Sequence, residues 1–313
     1  MQDGKSQQER WEEAAAACND FITTLGNKYP MDEYRLIRDY QNGEIIFDRR
    51  YGSTNTFEKN NYPVGYNLGQ SGNTPSQNLV DAYEMIDGTP FDWNNPEHKS
   101  NPYANRDPRL AMSILTNNVE FKDRTIEAWT GGRDGKGVIH ATRTGYYIYK
   151  FIDPNLDLLQ NRTSVHHWVI MRYAEILLSY AEAMNEAYGP TGNVGYRLNA
   201  VRALNQVRNR VGVEMPAVPT AISKEELREK IRNERRVELA FEDHRFWDVR
   251  RWMIAPETLG APLRGVEITK ISDEEFEYNP IEVEKRTFEP KMYLYSIPQA
   301  DLNTTGWVQN PLW

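Results

Sequence analysis

The sequence contains very little cysteine. Among its 313 residues there is one, Cys18, and a single thiol forms neither an internal disulfide nor a cysteine-rich zinc site. The three residues before it, at 15–17, are small alanines, but the stretch ahead of them is charged, whereas an export signal needs an apolar core at that place. We therefore interpret Cys18 as a small residue on a helix.

Long apolar runs and an excess of basic residues are also missing. No window approaches the ~18 uninterrupted apolar residues that a membrane-spanning helix needs. Lysine and arginine total 37 against 45 aspartates and glutamates, which gives a net charge of −8. A phosphate backbone requires a basic face, so this balance argues against nucleic-acid binding. The acidity itself is explained by solubility.

Recognisable catalytic and cofactor motifs do not occur. Of the five histidines, His166 and His167 are adjacent and cannot comfortably ligate one metal ion. There is no zinc-protease motif, nucleophile elbow or phosphate-binding loop. The glycine-rich stretch 131–137 lacks the ending of a phosphate loop and the strand before it, so we interpret it as a surface loop. We expect neither a cofactor nor a metal site.

Apolar residues at helical spacing occur near the start of the chain and again between about residues 168 and 252. Apolar residues recur at three- and four-residue steps in 6–26, 168–188 and 201–211. The last two segments, joined by a short glycine-containing loop, predict a tetratricopeptide-like helical hairpin. A capping box at Ser223 opens a further helix, which we expect to run to about Trp252. Shorter helices are predicted at 32–40 and 78–86, and a strand at 44–47.

The middle of the chain, 51–164, is rich in glycine, asparagine, serine, threonine and proline but keeps many aromatic residues. A sugar ring has an apolar face that stacks on an exposed aromatic ring and a polar rim that amides and charged groups bind. The alternative is that each ring anchors its own loop to the core. The candidate ligand-binding residues are Tyr51, Tyr62, Tyr66, Trp93 and Trp129 as platforms, with Asn55, Asn61 and Asn94 at the rim.

Two glutamates four residues apart, Glu234 and Glu238, are the pair that most resembles catalytic machinery. On a helix they share one face at roughly 6 Å, a spacing similar to that of a glycosidase pair. Many arginines accompany them, however, and an arginine keeps a buried carboxylate ionised, whereas a general acid must hold its proton. We therefore predict a structural ion network. Its expected members are Arg172, Glu175, Glu234, Arg235, Glu238 and Arg245.

Six blocks of sequence, taken in their order along the chain, resemble those of a known protein family. The most specific are 171–183, which reads MRYAEILLSYAEA, and 234–252, which reads ERRVELAFEDHRFWDVRRW. The other four are 80–92, 105–110, 144–151 and 293–311. In this order the blocks resemble the C-terminal two thirds of the SusD/RagB family, the surface glycan-binding lipoproteins of Bacteroidetes.

The resemblance implies a mainly α-helical fold, in which tetratricopeptide-like hairpins pack against a loop-rich irregular part with few short strands. It implies a non-catalytic, nutrient-binding protein on the cell-surface side of the outer membrane, lipid-anchored in the full-length protein. The implied partners are an oligosaccharide or polysaccharide and a SusC-like TonB-dependent transporter that receives it. Because family members hold their sugars through variable loops, the resemblance assigns no binding residue.

The resemblance also predicts how the chain is divided. We expect a single SusD-like domain, 1–313, that lacks its N-terminal part with the export signal and the lipidated cysteine. Its first helix should then expose an apolar stripe from Trp11 to Leu25. The helical scaffold is predicted at 1–50 and 165–255, the ligand-binding part at 51–164 and an irregular tail at 256–313.

Two other functions remain open at this point. One is a helical-repeat module that binds a protein, such as the transporter, and has no sugar site. In that case the loop rings would be buried or would face the partner. The other is a glycoside hydrolase, which requires Glu234 and Glu238 to open into a cleft.

Overall fold

The computed structural model describes residues 4–313, so that residues 1–3 of the predicted scaffold segment 1–50 lie outside the described residues. None of the described helices is long and apolar enough to cross a membrane. The helices are α1 (Gln7–Leu25), α2 (Thr56–Asn61), α3 (Gln77–Val80), α4 (Pro96–Ser100), α5 (Arg109–Ser113), α6 (Tyr173–Tyr188), α7 (Ala200–Arg208), α8 (Lys224–Glu238), α9 (His244–Arg251), α10 (Ala255–Thr258) and α11 (Gln299–Thr305). The strands are β1 (Ile45–Arg50), β2 (Ile114–Leu115), β3 (Glu120–Phe121), β4 (Arg124–Thr125), β5 (Tyr147–Ile148), β6 (His167–Arg172), β7 (Leu263–Lys270) and β8 (Phe276–Glu284).

Four helices share one hydrophobic core, which we call the helical core. α6 contacts α1, α7 and α8, and its Leu177, Leu178 and Met184 are fully buried. Both α1 and α8 begin with a capping box, closed by Glu9 and Glu226, which satisfies backbone N–H groups that a helix start leaves free. α6 and α7 form the predicted tetratricopeptide-like hairpin.

The first helix finds its partner within this chain. Trp11, Cys18 and Ile22 are half-buried against the helical core, and Ala15 is fully buried. Leu25 remains 39% exposed. The apolar stripe that we expected to be open is therefore largely covered, because α6 presents its own apolar surface to α1.

One predicted helix is in fact two. The sequence predicted a single helix over 223–252, but residues 239–243 separate α8 from α9. Phe241 has a positive φ angle of 64°, which a right-handed helix does not contain. The buried ammonium of Lys150 donates to the carbonyl oxygen of Glu238, the last residue of α8, at 3.2 Å. This bond satisfies a group that the end of a helix leaves free, and it makes the break a specified feature of the fold.

The middle of the chain builds a second hydrophobic core, which we call the loop core. Tyr83, Tyr146 and Tyr147 are completely buried in it. The tail contributes as well, because β7 and β8 form an antiparallel hairpin where we expected an irregular segment. Val266 and Ile268 of β7 are buried in the loop core. Their spacing of two residues is the signature of a strand with one covered face.

The remaining strand pairs are short, and two of them, β1–β6 and β2–β5, join distant parts of the chain. β1 pairs with β6, β2 with β5 and β3 with β4, all antiparallel. The predicted strand 44–47 corresponds to β1, whereas the helices predicted at 32–40 and 78–86 reduce to the 3-10 turn Tyr34–Arg38 and to α3. The whole is a mainly helical scaffold packed against a loop-rich part with few short strands.

Candidate functional site

Two tryptophans of the predicted set lie on the surface of the loop core. Trp93, in the loop before α4, and Trp129, in the loop after β4, are both half-buried. Phe276 of β8 packs beside Trp129 with ring centroids 5.4 Å apart, and the Lys270 ammonium lies 5.0 Å from the Trp129 ring centroid. The β7–β8 hairpin thereby holds the Trp129 ring in place.

A chain of side-chain hydrogen bonds connects Trp93 to the tyrosines of the loop core. The indole N–H of Trp93 donates to Asp81 Oδ1 (3.0 Å), which also accepts from the Gln77 amide (2.7 Å). Gln77 Oε1 accepts from the Tyr146 hydroxyl (2.5 Å), to which the Tyr103 hydroxyl donates (3.3 Å). Because Gln77 and Tyr146 are buried, these bonds fix the Trp93 ring before any ligand arrives.

Rings from the two loops and the hairpin are connected through side chains of the loop core. Tyr103 packs edge-on against Tyr278 with centroids 5.4 Å apart, and Tyr278 lies 6.4 Å from Phe276. We call the half-buried rings Trp93, Tyr103, Trp129 and Phe276 the loop aromatic surface. Flat rings bordered by charged and hydrogen-bonding groups suit both the apolar face and the hydroxyls of a sugar.

Tyr51 and Asn94 are exposed members of the predicted set. Asn94 follows Trp93 directly, at the edge of the loop aromatic surface, and its amide donates to Asp92 at 2.9 Å. Tyr51 is 45% exposed and extends from the β1–β6 pair. The Arg49 guanidinium lies 5.2 Å from its ring centroid. The geometry therefore places Asn94, but not Tyr51, with the two tryptophans.

Tyr62 and Tyr66 face the interior instead of the solvent. They are 1% and 8% exposed, and their hydroxyls donate to main-chain carbonyls of neighbouring loops at 2.5 and 2.7 Å. Burial raises the pKa of both hydroxyls above the usual value. The Lys122 ammonium and the Arg124 guanidinium cover the two rings at 4.8 and 3.9 Å. In this arrangement both tyrosines anchor their loops, and they also border a cleft of about 620 Å³ together with Lys122, Arg124 and Arg133.

Asn55 and Asn61 are buried as well. The Asn55 amide donates to the side-chain oxygen of Asn161 (2.9 Å). The Asn61 amide donates to the carbonyl of Phe57 (2.9 Å), and its oxygen accepts from the Asn73 amide (2.7 Å). Both side chains are thus buried and hydrogen-bonded between loops. This corrects the expectation that they line the rim of a sugar site.

Glu234 and Glu238 lie in a buried ion network between the helical core and the loop core. Arg109 donates to Glu234 (2.6 Å) and Glu238 (2.8 Å), and Arg172 donates to Glu238 (2.6 Å). Burial alone would raise the pKa of Glu238, but Arg210, Arg172 and Arg109 hold it well below the usual value. An ionised glutamate of this kind has no proton to donate as a general acid. The network also contains Glu44, Glu84, Asp107, Lys150, Arg208 and Glu242.

Three predicted members of this network lie outside it. Arg235 pairs with Asp248 at 2.9 Å. Glu175 faces a histidine of α9 at 3.7 Å. Arg245 forms no ion pair with any side chain of residues 4–313, and its guanidinium lies 6.0 Å from the ring centroid of Trp252. The helical spacing that suggested a single network does not decide toward which neighbour each long side chain turns.

Sequence reasoning missed the contribution of the hairpin to this site. Phe276 and Lys270 lie in a segment whose many acidic residues suggested an irregular tail. The usable signal was the alternation along β8, in which Phe276 and Tyr278 turn inwards while Glu277 is exposed. Among the residues that the structure describes, no cluster of three or more side chains could hold a metal ion.

Comparison with known proteins relates this chain and its fold to one family. The sequence profile of the SusD family matches residues 43–313. SusD-like protein P2 of Formosa agariphila is 34% identical over 120 residues, which make up 37% of this chain and 22% of that protein.

Solved structures agree with this relationship. A SusD-like protein from Bacteroides fragilis superposes with a TM-score of 0.79 at 29% identity, covering 97% of this chain and 62% of the other. A SusD-like carbohydrate binding protein from the same species gives a TM-score of 0.77 at 29% identity, covering 95% of this chain and 61% of the other. The predicted fold class is confirmed, and the chain spans less than two thirds of the length of these relatives.

Proposed function

The chain belongs to the SusD family, and on that basis we propose that it is a non-catalytic glycan-binding component of a Bacteroidetes polysaccharide uptake system. It acts on the cell-surface side of the outer membrane, where the full-length protein is lipid-anchored. It presents an oligosaccharide or polysaccharide to a SusC-like TonB-dependent transporter. Membership of the family supports the location and the partner, and one relative is itself described as a carbohydrate binding protein.

The loop aromatic surface is the observation that carries the glycan-binding role. Trp93 and Trp129 keep part of each ring accessible while buried hydrogen bonds and the hairpin fix their positions. A rigid ring loses little conformational freedom when a sugar stacks on it. Asn94 supplies an amide at the edge, and the Lys270 ammonium lies near the Trp129 ring. These groups offer hydrogen bonds to the hydroxyls of a sugar whose apolar face lies on the rings.

The test is a titration with neutral plant, microbial and host oligosaccharides, followed by tryptophan fluorescence and by calorimetry. One glycan class should give a saturable signal, and Trp129→Ala and Trp93→Ala should each weaken its binding by about tenfold or more, as for the loss of a stacked ring. Calorimetry is needed because eight tryptophans contribute to the fluorescence.

Trp247→Ala is the matched control, since Trp247 is 61% exposed on α9, outside the loops. It should bind the same glycan with unchanged affinity. If no glycan binds to this chain or to a version extended to the length of its relatives, the glycan-binding role is refuted.

A second candidate, a protein-interaction role, has one observation in its favour. Trp247 and Tyr295 are 61% and 65% exposed. Phe246 packs edge-on against Trp247, and the Arg250 guanidinium lies 4.9 Å from the Phe246 ring and 5.3 Å from the Tyr295 ring. Large exposed apolar patches mark contact surfaces. Under this alternative, Trp247→Ala weakens binding to the transporter, and no glycan binds.

A further inference from the structure

A cleft of about 500 Å³ lies beside the loop aromatic surface, lined by residues of α3, α8, α9, α10 and the start of β7. Its volume falls in the range of sites that hold small ligands. Asp81 lines the cleft and also accepts the indole N–H of Trp93 (3.0 Å). The cleft and the predicted sugar platform are therefore neighbours that share a side chain.

The charges that line the cleft are unbalanced. Its carboxylates are those of Asp81 and Glu257, and Asp81 is already paired with Arg264 at 2.7 Å. Four guanidinium groups line the cleft, on Arg236, Arg245, Arg264 and Arg286, and that of Arg286 lies 3.7 Å from the Glu284 carboxylate. The cleft is thus locally positive in a chain whose net charge is −8.

Two of the four arginines, Arg236 and Arg245, carry most of this imbalance. The described partner of the Arg236 guanidinium is a main-chain carbonyl, that of Asn78. Arg245 has no hydrogen-bond or ion-pair partner among residues 4–313, and its described contact is the ring of Trp252. Burial, and then the positive charge of Arg236, lower the pKa of Arg245 to about 10, against the opposing effect of the Asp248 carboxylate. The fold therefore keeps like charges together in a partly buried place, a cost that a bound anion would remove.

We propose that this cleft binds the anionic substituent of an acidic glycan, a uronate carboxylate or a sulfate ester, through Arg245 and Arg236. A guanidinium binds such oxyanions through two parallel N–H donors, so it gives direction as well as charge. A sugar that stacks on Trp93 lies next to the cleft, because Asp81 borders both. The assignment to a glycan rests on the proposed function, whereas the anion site follows from the arginine cluster alone.

The experiment compares ligands that differ only in charge. Trigalacturonate and its trimethyl ester have the same sugar skeleton, and calorimetry should show that the acid binds about tenfold or more tightly, as expected for a charge-assisted hydrogen bond. Arg245→Gln should remove this preference and leave the affinity for the ester unchanged. A sulfated neocarrabiose and its desulfated form provide the second arm, which tells a sulfate site from a carboxylate site.

Two controls keep the outcome clear. Arg245→Gln should fold normally, because Arg245 makes no hydrogen bond within the described residues. Arg202→Gln, on the exposed face of α7, removes the same charge elsewhere and should keep the preference for the acid.

Inorganic sulfate separates the failure of this proposal from that of the glycan-binding role. At ionic strength matched with chloride, sulfate should raise the thermal midpoint of the parent chain and of Arg202→Gln, but not that of Arg245→Gln. If neither acidic sugar is preferred and the response to sulfate does not depend on Arg245, the anion site is refuted, even where a neutral glycan binds to Trp93 and Trp129.

Discussion

Glu238 accepts hydrogen bonds from three guanidinium groups, those of Arg109 (2.8 Å), Arg172 (2.6 Å) and Arg210 (2.5 Å). All four side chains are almost completely buried. A buried ion pair adds little net stability when compared with an apolar pair, but removal of one partner leaves an uncompensated charge in the interior. The cost of a substitution here therefore comes from the partners that remain.

We predict that Glu238→Gln destabilises the protein by about 3 kcal/mol, since three buried guanidinium groups lose a shared carboxylate. Urea unfolding at pH 7 measures the change. Glu229→Gln is the matched control on the same helix, because the Glu229 side chain is 69% exposed and pairs with Arg232 at the surface. Its effect should stay within about 0.5 kcal/mol. Equal effects of the two substitutions would contradict the role of the network.

The pH dependence provides a second check on the same substitution. The arginines hold the pKa of Glu238 below the ordinary value of 4.5, so the unfolded chain binds this proton more readily than the folded one. The stabilisation from the ionised group is therefore complete above about pH 4.5 and is lost as the pH falls through the lower folded pKa. The stability difference between the parent chain and Glu238→Gln should shrink in acid.

At the scale of secondary structure, the long helices could be predicted and the hairpin could not. α6 repeats apolar residues over four turns, and a local period of this length suffices to identify a helix. β7 and β8 depend on a face that another part of the chain covers, and the acidic residues between and along them obscured the alternation. The break between α8 and α9 was equally hidden, because Lys150, which binds the end of α8, lies far away in the sequence.

The hairpin docks on the loop core at a glycine. Gly145 has a φ angle of +86°, and a Cβ at this position would lie 2.7 Å from Val266 Cγ1 and 2.8 Å from the Val266 carbonyl oxygen. Gly131 has a similar φ angle of +90°, but a Cβ at that position would have no other atom within 4 Å among the described residues outside its immediate chain neighbours. The two glycines therefore share the backbone constraint and differ in the close contact.

We predict that Gly145→Ala lowers the free energy of unfolding by about 1–3 kcal/mol more than Gly131→Ala, which is the usual cost of overpacking. Both substitutions carry the strain of a positive φ angle, so the difference isolates contact with the hairpin. Hydrogen exchange should also show faster exchange of the amides in 263–284 in Gly145→Ala only. Equal losses in the two variants would mean that the hairpin yields to the extra methyl group.

At the scale of the whole molecule, the ion network occupies the junction between the two cores. α8 contributes Leu227 and Ile231 to the helical core and Val237 to the loop core, and its two network glutamates lie beside these residues. Sequence reasoning identified Glu234 and Glu238 because helical spacing places them on one face. It proposed Trp93 and Trp129 as sugar platforms by composition alone. Composition does not distinguish the half-buried Trp93 and Trp129 from the buried Tyr62 and Tyr66. The burial of the two tyrosine rings depends on the side chains of Lys122 and Arg124, which lie over them in the folded chain.

Arg109 is the residue that joins the two parts most directly. It leaves α5 in the loop-rich part, pairs there with Asp107 (2.7 Å), and reaches Glu234 (2.6 Å) and Glu238 (2.8 Å) on α8. We predict that Arg109→Leu uncouples the cores, because three carboxylates lose a common partner.

Hydrogen exchange in increasing urea measures the coupling through peptides of α6 and of the loop core around 143–152. In the parent chain both should lose protection at the same urea concentration, as in a single cooperative transition. In Arg109→Leu the loop core should open at a lower concentration than α6, whereas Arg202→Gln should behave like the parent chain. If both cores of Arg109→Leu shift together by the same amount, the network stabilises the protein without coupling its parts.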